Sequence, residues 1–165
     1  SVETLRQLEG LIDVYLPDYK YSDAQLAAKL SCAPDYPEIA DAAIREMARQ
    51  TGPAAIEDEQ LVRGTLVRHL VLPGYLDNTL GALDWFAETF PRGDVLLSLM
   101  SQYTPAGRAK NEPPLDRRVS EDEYAAALSY LELLGIENGF TQDLSAAETT
   151  YIPDFNGEGL KKEKL

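Results

Sequence analysis

Thr65-Leu66-Val67-Arg68-His69-Leu70-Val71-Leu72-Pro73-Gly74 is the stretch on which the fold turns. Rich in Thr, Val and Leu and stopped by Pro-Gly, it predicts a buried strand over residues 61–72, apolar enough to lie in a sheet covered on both faces. Two polar residues interrupt it. Neighbours in a strand point to opposite faces, so Arg68 and His69 divide between them. Arg68 shares the face of Leu66 and Leu70 and needs a partner, because an unpaired interior charge is very costly; a ligand carboxylate or Asp18 would serve. His69, the one histidine, reads as a hydrogen-bonded packing residue in preference to a catalyst. With no second His or Cys beside it, a metal site has no support.

Working outward, Val2, Leu5 and Leu8 follow a helical spacing that Gly10 closes, and residues 11–16 read as a short buried strand ended by Pro17. Ser22 is the expected cap of a helix over residues 23–30, and residues 35–50 carry Ile39, Ala42, Ala43 and Met47 at helical spacing. Beyond Gly74, Asp77 or Asn78 is expected to cap a helix with Leu80, Leu83, Phe86 and Ala87 on one face, ending before Pro91. Residues 95–100 predict a third strand, and residues 101–119 form a polar, Pro-rich connection longer than the roughly 12–15 residues usual for a plain loop. That marks it as a substrate-side loop. Ser120-Glu121-Asp122-Glu123 is a capping box that opens a helix running to Gly135, residues 140–142 predict a last short strand, and the Lys-rich end is expected to be loose.

The alternation of helix and strand predicts a parallel α/β fold. No Gly-x-Gly-x-x-Gly follows any strand, which removes the dinucleotide fingerprint and favours a TIM-like barrel wall. A closed eight-stranded barrel needs roughly 200 residues or more, so a chain of 165 residues with about four strands is expected to be part of one. The start at Ser1, with helical spacing already under way, leads to the expectation of a cut piece of a longer protein.

Composition narrows the function classes. Hydrophobic residues make up 44% and charged ones 26%, which argues for one packed domain and against disorder. The 15 basic and 28 acidic residues leave a net charge of −13, which opposes binding to a phosphate backbone, so no nucleic-acid partner is expected. The longest apolar runs fall well short of the roughly 20 residues that span a bilayer, so no membrane partner is expected either. A single cysteine, Cys32, rules out an internal disulfide and any multi-cysteine metal or iron–sulfur site built from this chain alone, and a reducing cytoplasm fits that usage. Within Leu30-Ser31-Cys32-Ala33-Pro34 it reads as a small core or loop residue.

In parallel α/β folds, ligands sit beyond the carboxyl ends of the strands. The first strand ends Pro17-Asp18-Tyr19-Lys20, which puts Asp18 and Lys20 on one face, where an acid and an amine flank a polar ligand; an ion pair or helix cap accounts for the same residues equally well. The third strand leads into Ser101-Gln102-Tyr103-Thr104-Pro105-Ala106-Gly107-Arg108, whose amide, phenol and guanidinium suit substrate contact or a well-capped turn. Lys20 also admits a Schiff-base reading in an aldolase-like barrel. The acidic surplus admits a non-catalytic α/β module that docks a partner.

Three segments carry a family resemblance: Asp13-Val14-Tyr15-Leu16-Pro17-Asp18-Tyr19-Lys20-Tyr21, Val67 through Gly74, and Leu99-Met100-Ser101-Gln102-Tyr103-Thr104-Pro105. They resemble the C-terminal half of radical S-adenosylmethionine proteins similar to the pyruvate formate-lyase activating enzyme. Cys32-Ala33-Pro34-Asp35-Tyr36-Pro37 and Tyr151-Ile152-Pro153-Asp154-Phe155 fit an activating-enzyme-like branch. The resemblance implies the C-terminal part of a partial (β/α)6 barrel over residues 1–155, with residues 156–165 as a loose tail. In such proteins a four-iron four-sulfur cluster on Cys-x3-Cys-x2-Cys cleaves S-adenosylmethionine to a 5′-deoxyadenosyl radical, and activating members take a hydrogen from a glycine of a partner enzyme.

By position, Asp18 and Lys20 match the family's active-site Asp-x-Lys, and Arg68 matches an Arg near the bound S-adenosylmethionine. Gln102 and Tyr103 stand at the sixth strand as further cofactor contacts, although activating enzymes usually place a His where Tyr103 stands. The three cysteines and the Gly-Gly-Glu segment of the family's first units are absent here. S-adenosylmethionine and the cluster are therefore expected in the longer protein and neither in this chain alone. A glycyl radical enzyme or another protein is the implied partner. Open parallel edges lead to the expectation of a homo-oligomer for the chain by itself.

Overall fold

A computed structural model describes residues 1–141. The expected domain boundary at residue 155, the tail beyond it and the Tyr151 to Phe155 segment lie outside the described residues. In chain order the elements are α1 (Val2–Gln7), β1 (Val14–Tyr15), α2 (Ala24–Ser31), α3 (Tyr36–Thr51), β2 (Ala55–Glu57), β3 (Gln60–Leu70), α4 (Leu76–Thr89), β4 (Leu96–Met100), a 3-10 turn (Gly107–Asn111), α5 (Glu121–Leu133) and β5 (Gly139–Thr141). Strands β1, β3, β4 and β5 lie side by side in that order, all parallel, with helices as the crossovers; β2 pairs antiparallel with β3. This is the alternating α/β architecture that the sequence predicts. Among the described residues the sheet is open.

The register is set by burial. Thr65, Val67 and His69 of β3 are almost wholly buried and face α3 and α4, and Leu97 and Leu99 of β4 lie on the same side. Val67, Leu97 and Leu99 form one core with Ile44, Leu83, Phe86, Tyr124, Ala127 and Leu131 from the helices. Tyr19 joins it by stacking on Trp85 with ring centroids 3.8 Å apart. Burying a large side chain of this kind stabilises the fold by about 1.5–3 kcal/mol. The alternate residues Leu66, Arg68, Leu70, Leu96, Ser98 and Met100 occupy the opposite face, and none of them belongs to that core. All the core's helical residues therefore lie to one side of the sheet.

Several local expectations are corrected. The first strand spans Val14–Tyr15 instead of residues 11–16, and Leu11 and Leu16 are 73% and 53% exposed. Pro17 interrupts the ladder, having no N–H to give. Pairing resumes beyond it, where Arg68 donates to the Pro17 carbonyl and Tyr19 donates to the Arg68 carbonyl, each at 2.8 Å. Asp23, one residue after Ser22, caps α2 by accepting from the Gln25 amide. Helix α4 starts at Leu76, before either expected cap, and Asn78 turns inward with its residue 5% exposed.

A hairpin the sequence reading missed joins β2 to β3 through Asp58 and Glu59, both left-handed at φ +48° and +64°. Neither residue is the Gly that usually announces such a turn. The last strand is Gly139–Thr141; Gln142, its expected end, lies outside the described residues. The long 101–119 connection contains the 3-10 turn and buries Leu115 and Val119, and α5 begins with the expected capping box on Ser120 and Glu123. No described helix is long and apolar enough to cross a membrane.

Candidate functional site

At the carboxyl ends of β1, β3 and β4 the chain assembles a small charged cavity. Parallel pairing sets Asp18 opposite Arg68, and one nitrogen of the guanidinium, Nη2, lies 2.7 Å from Asp18 Oδ1. Lys20, two residues on and therefore on the same face, brings its Nζ to 3.7 Å from Asp18 Oδ2. Tyr21, Leu70, Leu72 and Met100 complete the walls of a cavity of about 180 Å³. That is below the roughly 300–1,000 Å³ of whole-ligand pockets and suits the charged end of a larger molecule.

Two cations and one carboxylate leave this corner formally positive in a chain of net charge −13. Its polar atoms are incompletely used. Among the described residues, the buried side-chain atoms without a hydrogen-bond partner are Asp18 Oδ1, Arg68 Nε and Ser101 Oγ. The 2.7 Å Asp18–Arg68 contact is thus an ion pair without hydrogen-bond direction at Oδ1. All three atoms sit at the carboxyl edge, where β1, β3 and β4 end. Buried polar atoms are almost always partnered, so a cluster of exceptions points to a ligand. Larger clefts of about 240 Å³ beside Phe90 and Arg92 and about 360 Å³ beside Lys29 and Tyr75 contain none of them.

The structure brings Asp18, Lys20 and Arg68 together and gives Arg68 the expected Asp18 partner, but Arg68 is not the interior charge the sequence suggested, its side chain being 42% exposed. It does not bring Gln102 or Tyr103 into this cavity. Gln102 is exposed, and the Tyr103 hydroxyl donates to the Leu115 carbonyl at 2.9 Å, tying the long connection to itself, while burial pushes that phenol's pKa up.

His69 is the packing residue that the sequence favoured. Its Nδ1 meets the Tyr19 carbonyl at 2.6 Å, so Nδ1 carries the proton and Nε2 accepts from the Thr79 hydroxyl at 3.1 Å. Burial lowers its pKa to about 4 and keeps the ring neutral. Cys32 is exposed at the left-handed end of α2 and lines no part of the cavity. Among the described residues no group of three or more His, Cys, Asp or Glu is placed to hold a metal ion.

Sequence reasoning missed Tyr21, Leu72 and Met100 as walls of this corner, whereas Ser101 stands in the stretch it marked for substrate contact. Met100 closes β4, and strand ends were the available signal; Leu72 lies beyond the last residue of β3.

No family model matches the chain, and no solved structure matches it significantly. The chain is similar to the uncharacterized protein MJ0674 of Methanocaldococcus jannaschii, 28% identical over 138 residues that cover 83% of this chain and 36% of that protein. It therefore spans about a third of the length of the curated relative it matches.

Proposed function

We propose that this chain is the C-terminal part of a radical S-adenosylmethionine barrel similar to the pyruvate formate-lyase activating enzyme, and that Asp18, Lys20 and Arg68 form its ligand-binding corner. The observation that carries the proposal is the Asp18–Arg68 ion pair, with Oδ1 and Nε buried and without hydrogen bonds at the carboxyl edge of a parallel sheet whose core helices lie on one side. A barrel wall has that one-sidedness, with helices outside and a second face turned inward. The much greater length of the relative leaves room for preceding units.

The corner fits the amino-acid end of S-adenosylmethionine. Arg68 and Lys20 offer donors to an α-carboxylate, and Asp18 offers an acceptor to an α-ammonium. Bound beside a reduced cluster, that molecule supplies a 5′-deoxyadenosyl radical for hydrogen abstraction. The cluster itself does not fit this chain, which has one cysteine where three are needed and holds it exposed at the end of α2. The protein substrate, a glycyl radical enzyme or another protein, would meet the same edge, in a cytoplasmic setting and in an oligomer wherever the open edges pair with another copy.

The test is anaerobic reconstitution of the natural polypeptide with iron and sulfide, followed by dithionite and S-adenosylmethionine. Formation of 5′-deoxyadenosine, reduced at least about tenfold by Arg68→Ala, is the expected result. No 5′-deoxyadenosine from the reconstituted protein contradicts the proposal.

A further inference from the structure

The corner depends on a three-residue segment that is not held as an ordinary strand. Between the Asp18 and Lys20 carbonyls there are five backbone polar groups, and all five are partnered. Only one, the Tyr19 amide, uses a strand neighbour, donating to the Arg68 carbonyl at 2.8 Å. The Tyr19 carbonyl accepts from His69, and the Lys20 carbonyl accepts from Asn78 Nδ2 at 2.9 Å. Asn78 also accepts from the Ser22 amide at 2.9 Å, which fixes the far end of the segment to α4.

The remaining two groups converge on one atom. The Tyr36 hydroxyl donates to the Asp18 carbonyl at 2.7 Å and accepts from the Lys20 amide at 3.0 Å. In a parallel ladder a residue bonds in this way to the two residues flanking its neighbour, giving a hydrogen to one carbonyl and taking one from the next amide. The Tyr36 hydroxyl therefore stands where a further strand's backbone would, on the edge of the segment away from β3. Tyr36 opens α3 beside Pro37, and its ring packs edge-on against Tyr21 at 5.4 Å.

We propose that Tyr36 is a positioning residue for the ligand-binding corner, locking the backbone on both sides of Tyr19 so that Asp18 stays against Arg68 and Lys20 stays on the same face. This inference rests on the reading of Asp18 and Arg68 as that corner. It gives a role to the Cys32 to Pro37 segment, for which the family resemblance offered none. His69 and Asn78 secure the same segment from β3 and α4.

The side-chain Nε–H of Arg68 reports on the pair directly. Its {1H}–15N nuclear Overhauser effect is expected at the backbone level in the unaltered chain, and in Tyr36→Phe it falls to the value found in Asp18→Asn. Tyr130→Phe, which removes a comparable hydroxyl from its 2.7 Å bond to Asp84 and lines no part of the cavity, is expected to leave it unchanged, separating positioning from general loosening. An Arg68 Nε–H equally ordered with and without the Tyr36 hydroxyl overturns the inference. One already mobile in the unaltered chain overturns the reading of the corner itself. Amide exchange of Lys20 in the unaltered chain needs no variant: slow exchange, as for Val67, supports the hydroxyl bond, and rapid exchange overturns it.

Discussion

Arg68 and Asp18 face each other across neighbouring parallel segments, Nη2 to Oδ1 at 2.7 Å, yet their side chains are 42% and 32% exposed. An ion pair so open to water contributes only about 0–1 kcal/mol to stability. Holding the sheet together is therefore not its main effect. Arg68→Ala is expected to lower the unfolding free energy by no more than about 1 kcal/mol in urea titrations. A loss above about 3 kcal/mol, the range of a broken buried pair, would make Arg68 a structural residue instead.

His69 makes stability depend on pH. Unfolded, its imidazole titrates near the ordinary 6.5; folded, burial holds it to about 4. Between those values the unfolded chain takes up a proton that the folded chain refuses, so stability falls as pH drops through that window. The expected loss from pH 7.5 to 5.5 is about 1.4 kcal/mol, measured by urea unfolding and absent in His69→Gln. Glu46, held down to about 2 by its hydrogen bonds from Arg49 and Gln50, loses its contribution only below its ordinary 4.5, outside the measured range.

Glu123 ties three pieces of the carboxyl edge together. Its carboxylate accepts from the Gly74 amide at 2.7 Å, from the Ser120 amide at 2.9 Å and from both terminal nitrogens of Arg117. The Arg117 guanidinium holds its pKa well below the usual carboxylate range. Glu123→Ala is expected to cost about 1–2 kcal/mol, by loss of the capping box and of the Gly74 bond. Hydrogen exchange at the Gly74 amide should accelerate correspondingly, and an unchanged rate would contradict the assignment.

Gly64 sits where a side chain has no room. At φ +131° its added Cβ would lie 2.8 Å from the Ala54 backbone, beside the register shift in the β2–β3 pairing. Gly64→Ala is expected to destabilise by about 1–3 kcal/mol, combining backbone strain with the clash. Gly10→Ala is the comparison, because Gly10 also has positive φ but nothing within 4 Å, so it isolates the strain alone, about 1 kcal/mol. Equal losses at both positions, read by thermal unfolding, would show that Ala54 yields.

The sequence made the alternation and the Asp18–Arg68 pairing legible for a simple reason. An Arg in a strand of Thr, Val and Leu calls for an acidic neighbour on its own face, and the residue types at the neighbouring strand end supplied one, although the pair proved open to water. What escaped the reading was decided by tertiary geometry. Pro17 shortened β1 without ending its pairing, and a hairpin formed at Asp58-Glu59 although no glycine announced it. Asn78 resembled a helix cap, but its amide went to Ser22 and Lys20 across the fold. Tyr36 gave no local sign that its hydroxyl would serve as a strand neighbour, since the partner groups lie 16 and 18 residues away.

The most direct test of the central claim is to read the gene upstream of the Ser1 codon. A Cys-x3-Cys-x2-Cys segment in frame, within the roughly 100 residues that complete a barrel of ordinary size, is the expected result. An in-frame start with no such cysteines before it would contradict the radical S-adenosylmethionine reading and leave an α/β module whose charged corner binds something else.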